Sequence, residues 1–73
     1  ELNVYPNPTH SVVNWNDSPN IDEVVVINTN GKTVLKKVNP TTNSVDLSSF
    51  KSGIYFLKIR ENNSVITRKI VKK

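Results

Sequence analysis

Gly53-Ile54-Tyr55-Phe56-Leu57-Lys58-Ile59-Arg60-Glu61 runs into Asn62-Asn63 and then into Ser64-Val65-Ile66-Thr67-Arg68-Lys69-Ile70-Val71. Tyr55, Leu57 and Ile59 alternate with Phe56, Lys58 and Arg60, so an extended chain presents one apolar face and one mixed face. The spacing predicts a strand over residues 53–61 with Tyr55, Leu57 and Ile59 toward a core, and a second strand over residues 64–71. Asn62-Asn63 joins them in a tight hairpin, because asparagine tolerates the left-handed backbone that such turns require. Burying side chains of this size stabilises by roughly 1.5–3 kcal/mol each, so a handful of them decides whether the domain folds. Trp15, Phe50 and Val26 are expected to join that core.

Outward from this hairpin, short runs rich in valine, isoleucine and threonine are punctuated by Asn, Pro, Ser and Gly. They predict five further strands, near residues 2–5, 11–15, 23–28, 33–38 and 44–47. Seven short antiparallel strands make an all-β sandwich the expected fold. In Asn28-Thr29-Asn30-Gly31, a three-residue loop ending in a left-handed Gly31 is favoured. It sets Asn28 against Lys32 and pairs Val26 with Val34 and Val24 with Lys36. A two-residue Asn30-Gly31 turn is the rival, and would pair Val26 with Leu35. Pro6-Asn7-Pro8-Thr9 reads as a stiff, extended bend, since both prolines fix φ and restrict the residue before them.

The 73 residues allow one domain, residues 1–73, with a modest core and no deep catalytic cleft. With no cysteine, neither disulfides nor a thiolate metal cage can hold it. No apolar run approaches the roughly 18 residues that cross a bilayer, and no signal-peptide pattern opens the chain. The absence of methionine is read as the mark of a piece of a longer polypeptide. Ten Lys and Arg against six Asp and Glu give a net charge of +4, which favours acidic partners. Most of the lysines are assigned the plainer task of keeping exposed strands soluble and their edges unpaired.

Residue types that could carry chemistry do not fall into working patterns. His10 stands beside Ser11 with Asp17 nearby, but neighbours on a strand point to opposite faces, so a solvated histidine is the reading and no catalytic residue is assigned. Asp22, Glu23 and Asp46 lack the dense oxygen spacing of a calcium loop, and no metal or cofactor is assigned. Trp15, Tyr5, Tyr55, Phe50 and Phe56 are mostly wanted by the core, which argues against a stacking platform for nucleic acid or sugar. Asn62-Asn63-Ser64 matches the glycosylation acceptor pattern but sits in the tight turn.

Leu2-Asn3-Val4-Tyr5-Pro6-Asn7-Pro8-Thr9, Val26-Ile27-Asn28-Thr29-Asn30-Gly31-Lys32, Asp46-Leu47-Ser48, Ser52-Gly53-Ile54-Tyr55-Phe56-Leu57-Lys58-Ile59 and Lys69-Ile70-Val71-Lys72 follow one another in that order. Together they resemble the type A C-terminal sorting domain of the type IX secretion system, over nearly the whole chain. The resemblance implies an immunoglobulin-like β-sandwich at the C-terminus of a cargo protein from a bacterium of the Bacteroidetes kind. It implies a secretion signal read in the periplasm by an outer-membrane translocon and its shuttle protein. A cell-surface sortase then removes the domain, and the cargo ends at the cell surface or outside the cell. The family's motifs fall on Tyr5, Pro6, Asn7, Pro8, Gly31, Gly53 and Tyr55, which are read as structural. The final Arg68, Lys69, Ile70, Val71, Lys72 and Lys73 are read as a charged ribbon left free for a receptor, able to add to a partner's edge. An ordinary edge strand guarded by lysines is the alternative for that ribbon. For the whole chain, the rivals are an adhesive or carbohydrate-binding module appended to a surface enzyme and a structural spacer.

Overall fold

A computed structural model describes residues 3–6, 8–16 and 21–73. Among these the chain is all-β, with strands β1 (Val4–Tyr5), β2 (Val12–Trp15), β3 (Ile21–Asn28), β4 (Thr33–Val38), β5 (Ser44–Asp46), β6 (Gly53–Glu61) and β7 (Ser64–Lys72). The expected strands are all present, most displaced by no more than a residue or two at an end. Leu2, Asn7 and Asp17 lie outside the described residues. The strands pair antiparallel into a sheet of order β1-β2-β5 and a sheet of order β4-β3-β6-β7. The chain changes sheet after β2, after β4 and after β5, the interleaving of an immunoglobulin-like sandwich.

Between the sheets lie Val13, Trp15, Val45 and Leu47 from one side and Val24, Val26, Tyr55, Leu57, Ile59 and Ile70 from the other, all buried. The period of two along β6 is therefore realised as read, and Phe50 packs against this core from the loop before it. Tyr55 ends the apolar row without stranding its hydroxyl. Its Oη donates to the Lys51 carbonyl at 2.8 Å, while its ring stacks at a tilt on Phe50, centroids 5.7 Å apart. A tyrosine near the start of this strand, bonded to backbone a few residues upstream, is the corner that immunoglobulin-type sandwiches use to fix the entry into the strand. Gly53, just before it, sits at φ 150°, a conformation that side chains rarely adopt. A Cβ there would meet nothing within 4 Å, so backbone conformation and not crowding selects glycine.

The β3–β4 connection combines the two turn readings. Gly31 adopts φ 80°, its N–H donates to the Asn28 carbonyl, and the Asn28 N–H donates to the Lys32 carbonyl at 2.9 Å, as the three-residue loop requires. The pairing expected to follow does not: Val26 faces Leu35 and Val24 faces Lys37, because a register shift between Ile27↔Thr33 and Val26↔Leu35 inserts Val34 as a bulge. The reason is which residues reach the interior. Unshifted pairing would put Lys36 opposite Val24 and turn Leu35 to solvent. The extra residue turns Leu35 to the core and Lys36 outward. Lys37 then points inward at the open flank between the sheets, where its ammonium reaches the Ser44 carbonyl at 3.5 Å.

The Asn62-Asn63 turn is as expected, with Glu61 paired to Ser64 and Asn62 at φ 56°. Its placement is fixed from outside as well. The Asn62 N–H donates to the Asp22 carboxylate at 3.0 Å, and the Asn39 N–H donates to the Asp22 carbonyl at 2.8 Å.

Candidate recognition edge

β7 is the terminal strand of the four-stranded sheet and pairs with β6 from Ser64 to Lys72. The two-residue turn makes Glu61 and Ser64 the first hydrogen-bonded pair, so even-numbered residues of β7 direct their backbone groups to β6. Odd-numbered ones direct theirs to the sheet's outer edge. Side chains obey the same parity. Ile66, Arg68, Ile70 and Lys72 lie on the inner side, Ile70 fully and Lys72 largely buried, whereas Val65, Thr67, Lys69 and Val71 are exposed on the outer face.

The ribbon expected to be free is therefore woven into the fold. Ile70 belongs to the core. Lys72 lays its stem along the interior and turns its ammonium to the Lys73 main-chain oxygen at 3.1 Å, the usual solution for a long cationic side chain on an apolar surface. A threonine that the sequence reading passed over completes the edge. Thr9 is buried, donates its N–H to the Val71 carbonyl at 2.9 Å and accepts from the Lys73 N–H at 2.8 Å. It forms a parallel bridge opposite Lys72. Its hydroxyl donates to the Val12 carbonyl at 2.8 Å and accepts from the Ser11 N–H at 3.3 Å.

The Pro8-Thr9 segment is thus a clasp over the last residues of β7. The motif residues before it, Tyr5 and Pro6, are exposed and joined by a cis peptide bond. The signal that could have revealed the clasp is a polar residue fixed behind two prolines, since stiff segments commonly position something. Above the clasp, Val65 and Thr67 direct their backbone groups to the outer edge. Thr67 offers its carbonyl there, where the Arg68 guanidinium donates to it at 3.2 Å.

The other residues weighed for chemistry are scattered. His10 is exposed. Glu23 pairs with Lys36 at 3.5 Å, Asp22 serves the Asn62 turn, and Asp46 accepts from the Ser48 N–H at 2.9 Å. Among the described residues no three His, Cys, Asp or Glu side chains group to hold a metal ion. The Asp46 carboxyl is held below its ordinary value of 3.8, chiefly by the Ser48 N–H and then by the Ser48 hydroxyl, against a desolvation cost that outweighs the further lowering by the charge of Lys37. Of the aromatics, Trp15 and Tyr55 are buried, Phe50 and Phe56 are half-buried and Tyr5 is exposed. No helix among the described residues is long and apolar enough to cross a membrane.

The fold and edge define a small immunoglobulin-like sandwich whose C-terminal strand lies at the rim of its larger sheet. Sequence comparison places it more closely. The secretion system C-terminal sorting domain family matches residues 3–73, and the chain belongs to that family. It is a C-terminal sorting signal of the type IX secretion system, which directs export to the cell surface or the extracellular space. The family is one of sorting signals and not of enzymes. No curated protein matches the chain.

Proposed function

We propose that the secretion machinery reads this domain along the outward side of β7. The observation that carries the reading is the division of labour within that strand: Ile70 and Lys72 anchor it, and the Thr9 clasp holds its end. Lys69, Val71 and Lys73 are thereby presented on the outward side of the strand, with an outward edge at Val65 and Thr67 to which a partner strand can add. In this reading the chain is a single domain, residues 1–73, at the end of a larger secreted protein. It meets the outer-membrane translocon and its shuttle protein in the periplasm, and a cell-surface sortase removes it. The domain is a substrate of that sortase and performs no chemistry itself. Tyr5, Pro6 and Pro8 lead into the clasp, while Gly31, Gly53 and Tyr55 shape the scaffold.

Truncating the tail would remove Ile70 from the core, so the informative variants leave the fold in place. Thr67→Pro removes an N–H that points to the outer edge, a substitution edge strands accept. Lys69→Glu with Lys73→Glu reverses two outward charges. Fused behind a periplasmic reporter in a host with a type IX system, both variants are expected to fold and to lose most export. Undiminished export by both would refute recognition along β7.

A further inference from the structure

The outer face of the four-stranded sheet carries a second feature, remote from the clasp. Cross-strand register sets Lys36, Val25 and Lys58 in one row, with Glu23 beside Arg60 in the next. With strands about 4.8 Å apart, the two lysines flank Val25 at about 10 Å from each other. These side chains, with Ile27, line a shallow trough of about 390 Å³. Three cations stand over its apolar floor against one carboxylate, Glu23, which is engaged by Lys36 at 3.5 Å.

We propose that this trough is a docking surface for an acidic protein segment, whose carboxylates meet Lys36, Lys58 and Arg60 and whose apolar side chain covers Val25 and Ile27. Charge complementarity selects an anionic occupant. The placement of the apolar groups selects among anions. A flat anionic bilayer would engage the cations at the rim and leave the recessed floor wet, whereas a chain segment fills both. A nucleic acid would want stacking aromatics or hydrogen-bond donors where this floor is aliphatic. Exposed aliphatic surface flanked by like charges is costly to leave uncovered and specific once covered. The trough touches β7 at Val65, away from Thr9, Lys69 and Lys73, and its test does not depend on how that edge is read.

The test uses the full chain and a short synthetic peptide with leucine and valine between pairs of glutamates, with a glutamine version and anionic phospholipid vesicles as comparison arms. Amide shift mapping on the unaltered protein is expected to show saturable changes at Val25, Ile27, Lys36 and Lys58 with the glutamate peptide and none with the glutamine one. Lys58→Glu with Arg60→Glu, both exposed positions, is expected to weaken binding about tenfold or more, and added salt to weaken it in the unaltered protein. Shifts elsewhere, equal binding of the glutamine peptide, affinity unchanged by the charge reversal, or binding to vesicles but not to peptide would each overturn the proposal. The mapping decides alone if the variant does not fold.

Discussion

Tyr55 shows how one side chain joins two levels of the structure, since its ring closes the core against Phe50 while its hydroxyl ties β6 to the preceding loop. Losing the hydroxyl should cost about 0.5–1.5 kcal/mol, and losing the Leu57 side chain, wholly buried between the sheets, about 2–5 kcal/mol. Urea denaturation of Tyr55→Phe and Leu57→Ala should therefore give a small and a large drop in midpoint. Equal drops would contradict the core assignment. Both residues were legible in the sequence because alternation alone assigns them inward. Thr9 was not. Its weight comes from where the chain brings it, against Val71 and Lys73 more than sixty positions away, and no local pattern encodes that meeting. Gly53 was legible as a backbone position, though its reason is conformation and not packing.

At the scale of elements, strand positions follow from composition and period, and the sequence reading placed them well. Register between β3 and β4 was half legible. Gly31 revealed the loop, but the bulge at Val34 answers to a tertiary demand, that Leu35 and not Lys36 face the core. Deleting Val34 removes the extra residue and leaves Leu35 opposite Val26 and Lys36 opposite Val25, so the loss should stay below about 1.5 kcal/mol. Inserting one residue after Val34 instead reverses the facing of β4, exposes Leu35 and drives Lys36 inward, and should cost more than the deletion and accelerate hydrogen exchange along β4. An insertion variant as stable as the deletion variant in urea denaturation would show that the facing of Leu35 is incidental. The tail was misjudged at this scale too. Charge does not mark its outer face, since Arg68 and Lys72 lie on the inner side and Val71 is exposed, and Ile70 and the Lys72 stem, read as part of a free ribbon, anchor the strand.

The whole molecule rests on a small core, so single surface interactions register in its stability. Asp46 is one of them. Its carboxyl is held below the ordinary 3.8 in the folded chain, so the unfolded state binds the proton first. Its stabilising contribution is present in full above 3.8 and is lost as pH falls through the lower folded value. Thermal unfolding should thus show stability falling with acid in that range, and Asp46→Ala should be less stable at neutral pH and flatter below it. A variant with the parent's acid slope would remove Asp46 from the account.

The central claim concerns one side of this molecule, the outward ribbon of β7 held by β6 and Thr9. Photocrosslinkers placed singly at Thr67, Lys69, Val12 and Asn14, in a cargo fusion undergoing export, test it most directly. Adducts to an outer-membrane component of the secretion system from Thr67 and Lys69, and not from the two β2 positions on the opposite sheet, are the predicted result. Adducts of equal yield from both sheets, or from β2 alone, would contradict it.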